Sequence, residues 1–581
     1  MGTISDKLMR IINTKEDIRQ ALISKGYDVP TSIPFKEYAK MILDLPCNAD
    51  SFPDIEGIVA RYSASGLTNE QMAANPVWAD KTGNGRDLQL KNFSWKRMSG
   101  VGGYVQDFND FRNNATVDKI RIDEQGSNSI KVTILTTGIG NAIYIPKNIY
   151  QFNKSYFIKI SSEGYDEGDM ALSFYAPSTS TATTVTVSLN PNGITEIPAI
   201  KEDDFLAVYI NVSGKVGSFT VEQLPLYSGA LVFDGVDDYG VCENFPILTK
   251  EKGYTVVVLR QWDQDFLNTT LTGGLLSTRN YSTGEGVAFE KIESSNKGYW
   301  NLGAGGIIDF AKSPFTWQTS KQYNNVGILK GDKNHGKPLC VGCGLSGGQQ
   351  CGRFAIWELV FLDHDATEEE LTKIKDYFVK TYPWLFPDQA WTTVGKTNED
   401  EDRATIANIT GNGNDLILSN FGFAEGSGYN EQGEYAGYLV TDGVDDKIVS
   451  SVFGMGKDFT IVGDWKLINT GKNDNAGIVK FDSIVIYNYN PILINIKNGR
   501  NNLIPDQNTV NAICSDGRIY SKDWKESIYN EETESTSKNL LTIGYSGNIY
   551  TKIAFKNLAI YPTVLSKEDC IKAYNYLQTL K

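Results

Sequence analysis

The residues able to bind a metal or move protons are few. Only two of 581 residues are histidine, His335 and His364, which leaves most general-base and imidazole-ligand chemistry without a carrier. His335 stands near Cys340, Cys343 and Cys351, and a Cys-x-x-Cys pair with two further ligands suits tetrahedral zinc. A second copy of the same stretch, set out below, carries Thr542 and Tyr545 where Cys340 and Cys343 stand. Ordinary strand and turn cysteines are therefore favoured. Asp234-Gly-Val-Asp-Asp238 and Asp442-Gly-Val-Asp-Asp446 offer hard oxygen ligands for Ca²⁺. The alternative is a tight turn in which aspartate side chains bond their own backbone. Occurrence in two copies favours the turn.

Gly342-Cys-Gly-Leu-Ser-Gly347 fits a G-x-G-x-x-G pattern, but the mechanism needs a helix N-terminus after it. Phe354–Leu362 reads as a strand instead, so the match is expected to be accidental. No Gly-x-Ser-x-Gly elbow frames a nucleophile. Two carboxylates suffice for glycoside hydrolysis and 70 acidic residues can always supply them, yet the Glu-x-Asp-x-x-Glu strand of sandwich-fold glucanases is absent. Trp262, Trp300, Trp317 and Trp524 lie in or near polar, turn-rich sequence where they could stack on sugars, against core packing as the default. The expectation is no catalytic residue, no metal site and no cofactor, with Ca²⁺ at the aspartate turns as the one alternative.

Composition narrows the partners. There are 55 basic and 70 acidic residues, a net charge of −15, with no Lys/Arg cluster to neutralise phosphates, so nucleic acid is not expected. No stretch of about 18 apolar residues is present to span a membrane. Seven scattered cysteines argue against a disulfide-built secreted module. Met1–Ile12 lacks the apolar core of a signal peptide. Glycine (55) exceeds proline (18), and Tyr with Phe is abundant, a balance that suits many short strands and tight turns.

The elements that must position any site repeat. Thr82-Gly-Asn-Gly-Arg-Asp-Leu-Gln-Leu-Lys-Asn-Phe93 returns as Thr410-Gly-Asn-Gly-Asn-Asp-Leu-Ile-Leu-Ser-Asn-Phe421, with nine identities in twelve. Ala230–Asp238 returns as Tyr438–Asp446, and Leu339–Gly342 as Leu541–Gly544. Each copy closes with an apolar strand and a capped helix: Thr367 with Glu370 forms one capping box and Ser566 with Asp569 a weaker one. Gly83 and Gly411 are 328 residues apart but Asp234 and Asp442 only 208. The first copy therefore carries about 120 extra residues between its motifs. Alternating runs such as Ser129-Ile-Lys-Val-Thr-Ile-Leu and Phe205-Leu-Ala-Val-Tyr-Ile-Asn-Val make them a small β-sandwich of their own. Pro383–Asp388 joins the copies.

The first 46 residues differ from the rest. Ser5–Ile12, Lys15–Ser24 and a segment from Pro34 to about Leu45 read as short amphipathic helices. Leu8, Ile11, Ile12, Ile18, Leu22, Phe35, Tyr38 and Met41 form their apolar stripes. Helices this short bury too little to stand alone, so they are expected to dock on a partner or on sister chains.

Leu231-Val-Phe-Asp-Gly-Val-Asp-Asp-Tyr239, the Ile356–Leu362 strand and the Thr367-Glu-Glu-Glu-Leu371 helix resemble the laminin G-like/concanavalin A-like lectin sandwich. The second copy does so through Asp442–Asp446 and Ser566–Leu577. Thr14-Lys-Glu-Asp-Ile-Arg-Gln-Ala-Leu-Ile-Ser-Lys-Gly-Tyr-Asp-Val-Pro30 and Pro34-Phe-Lys-Glu-Tyr-Ala39 resemble the anchor that opens many tailed-phage fibre and appendage proteins, notably of crAss-like phages of Bacteroides. The fold expectation is mainly β, with tandem two-sheet jelly-roll sandwiches, an inserted β-sandwich and a short N-terminal helical anchor. The expected domains are 1–46, the anchor; 52–103 plus 228–386, the split first sandwich; 104–227, the insert; and 387–581, the second sandwich. The resemblance implies a structural head or tail fibre at the virion surface, made in the bacterial host cytoplasm. It implies a homo-oligomer, a trimer by preference, attached to capsid or tail proteins and binding a host surface glycan. A capsule depolymerase and a passive capsid decoration protein are the alternatives.

Overall fold

The computed structural model describes residue 15 and residues 52–580 except 117, 249–252, 268, 279–287, 292–296, 302–306, 310–337, 346–348, 425, 432–434, 469–475, 481–483, 489–491, 497–499, 505–509, 522–523, 525, 529–535 and 547–548. Leu8, Ile11, Ile12, Ile18, Leu22, Phe35, Tyr38 and Met41, the residues expected to form an anchor, lie outside the described residues, as do His335 and Trp317.

The protein is mainly β. Its strands pair antiparallel except for a parallel bridge between Gly274 and Cys351, among the described residues. In the first sandwich, the strand Arg353–Leu362 is the middle of one sheet, with Thr255–Trp262 on one side and Ile58–Ser63 and Leu231–Asp234 on the other. Apolar side chains on both its faces suit that central place. Tyr62, Trp78, Leu88, Phe233, Leu339 and Ile356 belong to the core between this sheet and the one containing Leu88–Lys91, Tyr239–Cys242 and Leu339–Val341.

The second sandwich repeats the plan. Ile553–Tyr561 is central, flanked by Thr460–Leu467 on one side and by Gln389–Thr392 and Leu439–Val440 on the other. Even the irregularity recurs: a β-bulge between Leu259 and Arg260 has its counterpart between Asp464 and Trp465. Phe459, Ile461 and Trp465 share one core, as alternation requires. Thr460 and Asp464 are buried too, and each finds a polar partner: Thr460 Oγ1 donates to the Thr563 carbonyl and the Tyr438 hydroxyl donates to Asp464. Both terminal helices, Glu368–Thr381 and Lys567–Gln578, are capped from the side chains read in the sequence, Thr367 and Ser566.

The insert occupies a hairpin. Gly100–Val101 pairs directly with Leu231–Asp234, and the chain between them, residues 102–230, leaves and returns at one point. At the same place in the second copy, Gly428–Tyr429 pairs with Leu439–Val440 across residues 430–438. The insert itself has two five-stranded sheets. Within Ser129–Ile134, Ile130, Val132 and Ile134 face inward while Lys131 and Thr133 face out, the period-two signature of a half-buried strand.

One apolar cluster ties the three units together. It contains Phe157 and Ile194 of the insert, Trp357 and Tyr382 of the first sandwich, and Trp524, Tyr574 and Leu577 of the second. Polar contacts fix its register: the Tyr576 hydroxyl donates to Gln261 Oε1 at 2.9 Å and Trp357 Nε1 donates to the Ser228 carbonyl at 2.8 Å.

Candidate functional site

One sheet of the insert is built from Arg112–Asn113, Asn141–Pro146, Ala207–Val212, Met170–Tyr175 and Val185–Leu189. Its inner face is apolar: Ile143, Ile145, Val208, Ile210, Leu172 and Phe174 all join the core. Strict alternation then sends the intervening residues to the other side. These are Tyr144, Tyr209, Ser173 and Tyr175, with Arg112 and Thr186 at the flanks.

Register brings the aromatics together. Tyr144 lies directly opposite Tyr209, their ring centroids 5.7 Å apart and tilted by 32°. Tyr175 meets Tyr209 edge-on at 6.1 Å. Tyr175 is 46% exposed, and Leu206, 57% exposed, donates its backbone N–H to the Tyr175 carbonyl beside it. Polar groups border the rings. Asn211 Nδ2 donates to Ser173 Oγ, which in turn lies 3.3 Å from Thr186 Oγ1. Arg112, opposite Tyr144, is exposed and has no ion-pair partner among the described residues. Adjacent amphipathic rings, edged by hydroxyl, amide and guanidinium donors, form a platform for a flat ligand that has both C–H faces and hydroxyl groups.

No protein-family model matches the chain, and no curated protein matches it in sequence. Among solved structures it is similar to the botulinum neurotoxin serotype D binding domain, at 11% identity over 57% of this chain and 88% of that one, with a TM-score of 0.23. It is also similar to Trypanosoma rangeli sialidase in complex with sialic acid, at 9% identity over 78% of this chain and 83% of that one, with a TM-score of 0.24. Neither likeness bears on what this chain binds.

The residues singled out in sequence separate into turns and cores. In Asp234–Asp238, the ligand oxygens of Asp234, Asp237 and Asp238 gather within 4.8 Å of one another, and Asp442, Asp445 and Asp446 do the same. Within each cluster, the outer two aspartates are engaged by the protein. Asp234 Oδ1 accepts from Val236 N at 2.8 Å, Asp238 Oδ2 from Asp234 N at 3.1 Å and Asp238 Oδ1 from Ser99 Oγ at 3.0 Å. The second copy repeats all three through Asp442, Asp446 and Ser427. Gly235 and Gly443 take φ of +75° and +77°, which only glycine adopts without strain. Burial, then the neighbouring Asp234 charge, pushes the Asp238 carboxyl up to about 7. Burial likewise raises Asp446 to about 6. These are the hydrogen bonds of a tight turn.

Cys340, Cys343 and Cys351 are buried together, with Cys343 paired across from Cys351 between strands. Burial raises the Cys351 thiol to about 12. Among the described residues, no cluster able to hold a metal includes a cysteine or histidine. His364 bridges Asp363 and Glu370 at the start of a helix. The Gly342–Gly347 stretch is followed by the strand Gln349–Cys351 rather than a helix. Trp262 and Trp524 are each only 2% exposed and pack in cores, so neither offers a face to a sugar. Trp300 lies in the strand Lys297–Asn301.

The tyrosine face was missed in sequence because its members are far apart along the chain. The signal was present: Ile-Tyr-Ile at 143–145, Val-Tyr-Ile at 208–210 and Phe-Tyr at 174–175 each put a tyrosine at the outward step of an alternating strand.

Proposed function

We propose that this chain is a non-enzymatic fibre component of a tailed-phage virion whose insert binds a host surface glycan. The observation that carries the glycan reading is the outward trio Tyr144, Tyr175 and Tyr209 on one open sheet. The exposed Tyr175 ring beside the half-buried Tyr144 and Tyr209 rings, on a rigid scaffold, gives a saccharide a stacking surface at little entropic cost. The bordering Ser173, Thr186, Asn211 and Arg112 supply the directional bonds that a stacked sugar needs. The virion reading rests on the N-terminal segment, whose apolar stripes at Leu8, Ile11, Ile12, Ile18 and Leu22 call for a docking partner.

Binding of the full chain to a panel of host capsular and surface oligosaccharides tests the proposal, read by array and then by calorimetry. Binding lost in Tyr144→Ala/Tyr209→Ala, with the fold intact, supports it. Release of reducing ends from the glycan would favour a depolymerase. Silence across the panel would favour a passive decoration protein. A trimer in light scattering fits the fibre reading, whereas a monomer would leave the anchor's apolar stripes to the particle alone.

A further inference from the structure

A cavity of about 310 Å³ opens where the insert joins the first sandwich. That volume is at the small end of ligand sites, roughly 300–1,000 Å³, and suits a single small residue of a ligand. Four of its lining side chains are cationic: Lys96, Arg97 and Arg353 of the first sandwich and Lys154 of the insert. One acid, Asp234, stands among them. In a chain of net charge −15 this is a local reversal of sign, and a cleft lined by one sign of charge concentrates the opposite ion.

Part of that charge is already answered. Lys96 Nζ lies 3.1 Å from Asp107 Oδ2, Arg97 Nη2 3.1 Å from Asp110 Oδ2 and Arg353 Nη1 3.8 Å from Asp263 Oδ1. Donors remain. Arg97 also gives Nη2 to the Ile149 carbonyl, and Arg353 gives Nε to the Asp234 carbonyl. Arg97 Nη1 and Arg353 Nη2 are left without a partner among the described residues, on side chains 34% and 31% exposed. Neither nitrogen is shut off from solvent, unlike Arg97 Nε. Lys154 is half-buried and has no hydrogen-bond or ion-pair partner among the described residues. Guanidinium forks beside an ammonium make a donor set for a carboxylate or a sulfate.

The lining also offers acceptors. Asp234 Oδ1 is held by Val236 N, while its Oδ2 accepts no bond among the described residues. Gln151 donates Nε2 to the Ile149 carbonyl, which leaves Oε1 open. Both suit hydroxyl groups. Met98 and Val236, the latter 70% exposed, add apolar surface for ring C–H groups. The second sandwich has the same loop without this charge. Aligned through Thr82 and Thr410, Lys96 and Arg97 fall on Ala424 and Glu425. Lys552 stands against the turn glycine Gly443 as Arg353 does against Gly235, keeping the charge without the planar fork. The fold therefore does not require the cationic set.

We infer that this cavity is an oxyanion site that takes the carboxylate or sulfate of one acidic sugar residue. It deepens the glycan-binding reading and rests on it, but through residues other than the tyrosine face, so the two are separable by experiment.

Ligand-observed saturation-transfer NMR on the full chain tests the inference, with glucuronic acid and glucose 6-sulfate as probes of the two oxyanions and glucose as the neutral control. The expected result is transfer to at least one acidic sugar and none to glucose. Lys154→Glu should weaken that binding at least tenfold with the thermal midpoint unmoved, since Lys154 holds no structural partner. Lys154→Gln, which removes the charge without reversing it, should weaken it less, and Tyr144→Ala/Tyr209→Ala should keep it. Silence from both acidic sugars overturns the inference, as does equal transfer to glucose or binding undiminished in both Lys154 variants. Complete displacement by equimolar sodium sulfate would show a site for simple anions and overturn it too. A signal lost in the tyrosine variant but kept in Lys154→Glu overturns it while supporting the tyrosine face.

Discussion

Glu358 Oε2 lies 3.2 Å from Arg61 Nε at a place where both side chains are shut off from water. The hydroxyls of Tyr377 and Tyr382 complete the carboxylate's shell, and Phe52 caps the guanidinium 4.0 Å from its ring centroid. The second copy has Asn557 at the corresponding register position and moves the buried carboxylate one strand over, to Asp464. The polar device is thus not a requirement of the fold but an addition to the first sandwich. Removing one partner from a buried pair costs about 3–5 kcal/mol, because the other charge is left uncompensated. Arg61→Met should therefore lower the urea midpoint sharply, whereas Arg61→Met/Glu358→Leu should recover most of the loss. Equal destabilisation in both variants would show that packing, not charge, dominates there.

The tyrosine face makes a separable prediction. Tyr209 contacts both other rings, so Tyr209→Ala should weaken glycan binding at least tenfold, about 1.4 kcal/mol. Tyr175→Ala should do less, since that ring meets only Tyr209 among the three. Because the rings stand on the open side of the sheet, thermal midpoints should move little. Calorimetry of binding alongside melting separates these effects, and a midpoint drop that tracks the affinity loss would count against a binding role.

How much of this was legible in sequence depends on range. The Asp-Gly turns, the capped helices and the central strand Phe354–Leu362 are local patterns, and all are found in the structure. The duplication made them legible twice, and it set Thr542 and Tyr545 against the zinc reading. Pairing is another matter. Tyr144 and Tyr209 become neighbours only because Asn141–Pro146 registers against Ala207–Val212, a long-range choice that no local motif encodes. The buried Glu358 was equally hidden, because its partner Arg61 comes from a strand almost 300 residues away.

Acid should stabilise the two aspartate turns. The carboxyls of Asp238 and Asp446 are raised to about 7 and about 6 in the fold, against about 3.9 in an unfolded chain. Between these values the folded state holds more protons than the unfolded state, so stability falls as pH rises from about 4 to about 7 and levels off above. Asp238→Asn copies the protonated form, with Nδ2 able to donate to Ser99 Oγ. It should flatten that part of the profile and be neutral or stabilising at pH 8. Denaturant midpoints between pH 5 and 8 measure this. Because the turn's own amides and hydroxyls hold these oxygens, millimolar Ca²⁺ should leave the midpoint unmoved. A clear upward shift that Asp238→Asn abolishes would restore the calcium reading.

Two truncations test where the N-terminal segment ends and the first sandwich begins. Phe52 packs edge-on against Tyr377 with centroids 4.9 Å apart, and its ring covers the Arg61 guanidinium. Ile55 is buried against Val257, Leu362 and Phe378. These contacts belong to the first sandwich, whereas the stripes at Leu8, Ile11, Ile12, Ile18, Leu22, Phe35, Tyr38 and Met41 all precede Pro46. Removing residues 1–46 should therefore leave the melting profile of the sandwiches intact while ending incorporation into particles. Extending the deletion through Glu56 strips both Phe52 and Ile55. It uncovers one side of the Arg61–Glu358 pair, losing a cation–π contact of roughly 0.5–2 kcal/mol together with about 1.5–3 kcal/mol of aliphatic burial. The first sandwich should then melt several degrees lower, with the second little changed. If the shorter deletion alone destabilised the sandwiches, the N-terminal segment would be packing on its own chain. If it left incorporation normal, attachment would lie elsewhere in the molecule.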